Sequence, residues 1–136
     1  MRYSIAMCYR LLAAAAILGG TAAAAAGEDK AVTPTEARKK LGAKITIEMT
    51  VRAAKDRLEK QGEIYLDSET DFRSKKNFAV VITRKGAASL KKAGIADPAA
   101  HFKDRKLRAT ATVKKVDKIP RIEIDDTRQI KLVEAR

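Results

Sequence analysis

From residue 43 to residue 53 the chain alternates without a break. Ala43, Ile45, Ile47, Met49, Val51 and Ala53 fall on one side, and Lys44, Thr46, Glu48, Thr50 and Arg52 on the other. Successive side chains of a strand point to opposite faces, so a period of two marks a strand with one buried face. The pattern returns at residues 106–114, where Leu107, Ala109, Ala111 and Val113 alternate with Arg108, Thr110, Thr112 and Lys114. Two long strands of this kind, each half-buried, commit the chain to a mainly β fold.

The segments between them fill in the order of elements. Thr33, Pro34 and Glu36 make a helix start, with Thr33 as cap, proline in the first turn and Glu36 reaching back. A short helix is expected over 34–41, with Gly42 ending it in a left-handed conformation. Residues 27–32 before it are polar and expected to fray. Residues 54–62 are charged and read as a loop that turns at Gly62. Strand two follows at 63–67, with Ile64 and Leu66 inward and Tyr65 outward. A polar loop leads to the apolar strand Phe78, Ala79, Val80, Val81, Ile82, Thr83. Residues 85–93 have a helical pattern stopped by Gly94, and Asp97 with Pro98 restarts a brief helical turn through His101 and Phe102. Ala87, Leu90 and Phe102 are the expected plug under the sheet. After the strand at 106–114, residues 116–119 read as a turn, and 121–125 as strand five with Ile122 and Ile124 inward. Pro120 stands at its start, where a missing amide donor is tolerated. Residues 130–133 add a short closing strand. Three strands, a helix and two strands is the chain order of an oligonucleotide/oligosaccharide-binding (OB) barrel. The expected architecture is therefore a five-stranded OB-like barrel at 43–136, preceded by a polar linker and short capped helix at 27–42.

Residues 1–26 read as a secretory signal: Arg2 and Arg10 supply charge, 11–18 is a short apolar run, and small residues follow up to Ala26. The run is Ala-rich and broken by Gly19 and Gly20, whereas a membrane-spanning helix needs about 20 strongly apolar residues. Export to the periplasm or medium, without stable membrane insertion after cleavage, is the expectation. The single cysteine, Cys8, falls in this segment, so the remaining chain has no disulfide and rests on its hydrophobic core. The 136 residues carry 29 Lys and Arg against 17 Asp and Glu, a net charge of +12. Removing Arg2 and Arg10 leaves +10 on the rest. Such a balance favours polyanionic partners.

The residues also carry a resemblance. Glu36, Ala37 and Gly42 followed by Ile45, Ile47 and Val51 resemble the opening of small bacterial OB-like domains, which occur as secreted proteins or appended to nucleases. Tyr65, Leu66 and Asp67 with the later run from Phe78 to Ile82 match their middle. Lys106 through Val113, then Pro120, Ile122, Ile124, Asp125, Gln129 and Ile130, match their end. The resemblance covers residues 33–133 and implies an OB fold that acts by binding rather than by catalysis.

In an OB fold the ligand lies over strands two and three, between the loops joining strands one to two and four to five. Both loops are basic here. Arg52, Lys55, Arg57 and Lys60 stand in the first, and Lys114, Lys115, Lys118 and Arg121 in or beside the second. They would frame one groove with Tyr65 exposed between them: cations for phosphates, and an aromatic ring to stack on a base. Single-stranded nucleic acid or another polyanion is the expected ligand. A periplasmic adaptor for protein or envelope polysaccharide, with no nucleic-acid role, is the alternative. Nothing supports catalysis. His101 is the only histidine and lacks metal-ligating partners. Ser68, Ser74 and Ser89 lack an activating motif. Asp67, Glu69 and Asp71 begin like a calcium loop, but Phe72 and Phe78 occupy the positions that need Gly and Glu. No cofactor or metal is expected.

Overall fold

The structure, a computed structural model, describes residues 30–133. The signal expected at 1–26 lies outside the described residues. From Ala31 onward the chain forms one compact unit. It opens with helix α1 (Pro34–Ala37), capped as expected: Thr33 Oγ1 accepts from Glu36 N at 3.2 Å, and Thr33 N donates to Glu36 Oε1 at 3.0 Å. The helix is one turn long and stops short of residue 41. Lys39 N and Lys40 N bond three residues back, to Glu36 O and Ala37 O, and this tightening unwinds the helix into turns. Gly42 is left-handed (φ +84°) but caps no helix; its N–H instead donates to Val113 O at 2.9 Å.

Among the described residues the strands form two sheets. The first holds β1 (Lys44–Thr50), β5 (Lys106–Thr112) and β8 (Ile130–Leu132) in the order β1-β5-β8. β1 and β5, the two strands read from alternation, pair antiparallel from Lys44↔Thr112 to Thr50↔Lys106. Val32 is not frayed. It bridges to β1, donating to Thr46 O at 2.8 Å and accepting from Glu48 N at 3.0 Å.

The second sheet runs in the order β2-β3-β4-β7-β6: β2 (Ala53–Arg57), β3 (Glu63–Asp67), β4 (Ala79–Thr83), β7 (Ile119–Ile124) and β6 (Lys114–Val116). All neighbours are antiparallel except β4 and β7, which are parallel. The charged segment after residue 53 is thus a strand, not a loop, and ends in helix α2 (Leu58–Gln61) with left-handed Gly62 as its cap. Residues 116–119 turn as expected, as a two-residue hairpin between β6 and β7. Asp117 and Lys118 are both left-handed (φ 52° and 68°), as a type I′ turn requires, although neither is glycine or asparagine.

The sheets meet where strands change partner. Val51 N donates to Arg105 O and Val51 O accepts from Asp104 N, both on the β5 side. One residue on, Arg52 N donates to Asp67 O of β3. Alternation slips by one at this corner. In β1 the odd positions Ile45, Ile47 and Met49 are buried. In β2 the even positions Ala54 and Asp56 lie opposite Leu66 and Ile64 of the core, and the odd positions Lys55 and Arg57 lie opposite Tyr65 and Glu63. A single extra residue inverts every later side chain of a strand. Without the slip Lys55 and Arg57 would point into the core. At the other corner Val113 links β5 to β6 and pairs with Ala43, and no slip occurs.

Between the sheets lies one apolar core that includes Ile45, Ile47, Met49, Val51, Ile64, Leu66, Val80, Ile82, Leu107, Ile122 and Ile124. The helices α3 (Arg84–Lys92) and α4 (Pro98–Phe102) close it with Ala87, Leu90 and Phe102, the three residues expected there. Gln129 fastens the sheets by donating from Nε2 to Thr110 O and Glu123 O, each at 3.2 Å. Where a single five-stranded barrel is expected, the described residues form two sheets hydrogen-bonded separately, with no closed barrel. The strand at 43–53 and the one at 106–114 each break at a corner, so strand count rises while chain order is kept.

Helix α3 touches β7 through Gly86. A Cβ built there would stand 2.0 Å from Ile124 O, which is backbone and cannot turn aside. Thr83 caps the same turn: its Oγ1 accepts from Gly86 N at 3.1 Å and shares its proton between Ile124 O and Asp125 Oδ1. Gly86→Ala is expected to lower unfolding free energy by about 3 kcal/mol, at the upper end for overpacking, because helix and strand must part. Urea denaturation measures this; a loss under about 0.5 kcal/mol would contradict the close approach.

Candidate functional site

The outer face of the second sheet is set by register. Side chains directly opposite one another share a face. Lys55, Tyr65 and Val81 make one row ending at Glu123 of β7. Ala53, Asp67, Ala79 and Arg121 make the next, which ends at Lys114 of β6. Over this face opens a cleft of about 770 Å³ whose walls include Lys55, Arg57, Tyr65, Phe72, Arg73, Val116 and Lys118. Its floor is small and apolar, Ala79 and Val81, both buried.

Of the expected groove residues, Lys55, Arg57, Tyr65, Lys118 and Arg121 come together here. Arg52, Lys60, Lys114 and Lys115 are not among those lining it. Arg52 sits at the corner and borders a separate hollow with Thr50, Ser68 and Lys106. Lys60 is exposed on α2. Lys115 is opposite Pro120, whereas its neighbour Lys114 is opposite Arg121; consecutive strand residues cannot serve one face.

Arg121 is not a free cation. It is nearly buried and lies between two carboxylates, with Nη2 2.8 Å from Glu63 Oε2 and 2.6 Å from Glu123 Oε2. Glu63 also accepts from the Tyr65 hydroxyl at 2.5 Å, and Glu123 from Lys114 Nζ at 3.2 Å. A polar chain thus crosses the face from Tyr65 through Glu63, Arg121 and Glu123 to Lys114. Desolvation pulls the Glu123 carboxyl upward, but hydrogen bonds from Arg121 and Lys114 outweigh it and hold the group below its ordinary value. Burial, then the hydrogen bond to Glu63, raises the Tyr65 hydroxyl, so it stays protonated. The chain fixes the edge of the Tyr65 ring and neutralises the middle of the face. Positive charge is left at the rim on Lys55, Arg57 and Lys118, while Arg73 Nε is 3.4 Å from Asp71 Oδ1 and Asp117 also borders the cleft.

Sequence reasoning missed Phe72. It is 41% exposed on the cleft wall, with Lys55 Nζ 5.0 Å and Arg73 Cζ 5.6 Å from its ring centroid. Its position depends on Asn77, which has no exposed surface. Asn77 Nδ2 donates to Asp67 Oδ1 at 3.1 Å and Phe72 O at 3.3 Å, and its Oδ1 accepts from Glu69 N at 3.0 Å. Loop 68–77 is therefore folded around one buried amide. Only the presence of an aromatic in a polar loop hinted at this. Asp67, Glu69 and Asp71 do not converge: Asp67 faces Asn77, and Asp71 binds Arg73 N at 2.9 Å. Burial pushes the Asp67 carboxyl up, against the hydrogen bond from Asn77 and the attraction of Lys55. Among the described residues no three His, Cys, Asp or Glu are placed to hold a metal ion. His101 packs edge-on to Phe102, with ring centroids 4.8 Å apart.

No protein-family model and no curated protein matches the chain. Solved structures do. The chain is similar to asparaginyl-tRNA synthetase from Pyrococcus horikoshii, at 13% identity and a TM-score of 0.52 over 79% of this chain and 24% of that one. It is similar to aspartyl-tRNA synthetase from Entamoeba histolytica, at 14% identity and 0.52, over 79% of this chain and 22% of that one. It is also similar to an OBody, solved bound to hen egg-white lysozyme, at 13% identity and 0.54, over 79% of this chain and 96% of that one. The chain spans about a quarter of the synthetases it matches. At this identity the likeness shows the fold, which is of OB type.

Removing Arg121 leaves Glu63 and Glu123 facing each other without a partner between them. Arg121→Ala is expected to cost about 2–4 kcal/mol at neutral pH, somewhat below a fully buried pair because both carboxylates keep some exposure. The depressed Glu123 carboxyl adds stability above its unfolded pKa and loses it as pH falls through its folded value. The deficit of the variant should therefore narrow below about pH 4. Denaturation at several pH values measures this; a deficit that stays constant down to pH 3 would contradict the ion pair.

Proposed function

We propose that this chain is a binding module, without enzymatic activity, that takes single-stranded nucleic acid across the outer face of its second sheet. One observation carries the reading. Tyr65 and Phe72 border a single cleft whose rim holds Lys55, Arg57, Arg73 and Lys118 over an apolar floor. Rings that stack on bases, inside a rim that attracts phosphates, is the combination single strands require. The two sheets, sharing strands that bend at Val51 and Val113, are read as an OB barrel split at its corners. The fold likeness to part of two tRNA synthetases supports a nucleic-acid ligand. The signal-like residues 1–26 support export, which would bring the module to the periplasm or medium.

A second reading takes a protein, or an envelope polysaccharide, on the same face. It is favoured by the OBody, whose nearly full length matches this fold and which was solved bound to hen egg-white lysozyme.

With few rings and four rim cations, affinity should be mainly electrostatic. Fluorescence anisotropy with a labelled oligothymidylate should show log K falling with log salt with a slope of roughly −2 to −3. Lys55→Glu with Arg57→Glu should weaken binding at least tenfold and flatten that slope. Tyr65→Phe should bind normally, because the ring remains, and Tyr65→Ala should lose about 1–2 kcal/mol. No binding even at low salt would defeat the nucleic-acid reading and leave the second.

A further inference from the structure

A second basic surface lies beside the cleft and is not part of it. Arg38, Lys39, Lys75, Lys76, Lys115 and Lys118 border a hollow of about 300 Å³, completed by Thr35 and Pro120. No carboxylate borders it. Among the described residues, none of these six cations is within ion-pair distance of an acidic group. Elsewhere on the described surface Lys106, Arg108, Lys114, Arg121 and Arg128 each have a carboxylate partner, whereas Lys55 and Arg57 of the cleft rim, like these six, have none within ion-pair distance. What sets this hollow apart is that six such cations gather with no carboxylate on its border.

The six come from three places in the chain that the fold draws together. Arg38 and Lys39 follow α1, Lys75 and Lys76 end loop 68–77, and Lys115 and Lys118 belong to the β6–β7 hairpin. The first two places are tied directly, because Arg38 Nη1 donates to Asn77 O at 2.5 Å. The guanidinium is half-buried and therefore held, not free to sweep the surface. Lys115 reaches this side by the alternation that removes it from the cleft. Lys118 borders both hollows, so the two surfaces are continuous. Gathered like charges repel and destabilise the fold unless an anion accompanies them. Rings are absent here, so the surface suits a charged backbone rather than bases.

We infer that this basic surface is an extension of the ligand path, which carries the phosphodiester backbone of a single strand beyond the bases held in the cleft. It rests on the nucleic-acid reading of the cleft and adds a footprint to it. The cleft takes a few nucleotides, and a longer strand turns past Lys118 onto Lys115, Lys75, Lys76, Lys39 and Arg38. An anionic lipid surface is the competing occupant. It is disfavoured because the hollow is concave, and an aromatic cleft continues it through Lys118.

The test uses two oligothymidylates, of about four and about twelve nucleotides, with Lys75→Glu plus Lys76→Glu as the variant. These lysines are exposed, and unchanged thermal unfolding will show that the variant folds. Wild-type protein should bind the longer strand at least tenfold more tightly and with a steeper salt dependence. The variant should lose that gain and bind the shorter strand as wild type does, whereas Tyr65→Ala should weaken both. If the longer strand binds the variant as tightly as wild type, the extension is wrong and the cleft reading stands. If neither strand binds wild type, the cleft reading itself fails and takes the extension with it. If the variant keeps full oligonucleotide affinity but loses binding to phosphatidylglycerol vesicles seen with wild type, the surface belongs to a membrane and the inference is overturned.

Discussion

The facing of Lys55 and Arg57 on the proposed binding face depends on a one-residue slip at Val51 and Arg52. Val51 spends both backbone groups on the β5 side, and Arg52 gives its N–H to β3. Adjacent residues thus serve different sheets, and the strand passes the corner out of phase with its earlier half. The consequence is large because strand periodicity leaves no middle course. Before the corner, odd positions are Ile45, Ile47, Met49 and Val51, all core. After it they are Lys55 and Arg57, both exposed, while Ala54 packs against the core. A charged group forced inward would cost several kcal/mol, more than any surface contact returns.

The rest of the face is organised to keep its centre neutral and its rim positive. Arg121 between Glu63 and Glu123 is mostly desolvated, and such an arrangement contributes more to geometry than to stability. Here it anchors the Tyr65 hydroxyl through Glu63 and keeps both carboxylates from repelling a polyanion. Buried Asn77 works in the same way for loop 68–77. One amide sets Phe72 on the cleft wall, and the adjacent carbonyl holds Arg38 on the neighbouring surface. The aromatic and the basic features of the proposed ligand path therefore share one support.

Much of this was legible in the sequence. β1 and β5 were readable because half-buried strands alternate cleanly, and β3, β4 and α3 because their apolar residues follow strand or helix spacing. The Thr33 and Glu36 cap was readable because its chemistry is local. β2 was not, because it has one core residue, Ala54, among charges and so carries no period. The turn at 116–119 was readable, but its type was not, because neither Asp117 nor Lys118 is the glycine or asparagine that usually takes the left-handed conformation. Lys55, Arg57, Tyr65 and Lys118, expected around one groove from loop position and type, do border a single cleft. Arg121 was read as a groove cation although Glu123, two residues on along the same strand face, was in view; its other partner, Glu63, lies 58 residues away and only register brings it near. Lys115 was misplaced because its facing follows from register, which the sequence does not state. Phe72 was passed over because nothing local marks Asn77 as the centre of its loop.

The central claim is that the ligand face is the outer side of β2 and β3 as set by the corner. Backbone amide chemical shifts recorded while a four-nucleotide oligothymidylate is titrated in at low salt test it most directly. The largest changes should fall on Lys55, Arg57, Tyr65, Phe72, Arg73 and Lys118, with α3 and β8 unmoved. Changes centred on α3 or β8, or none at saturating oligonucleotide, would contradict it.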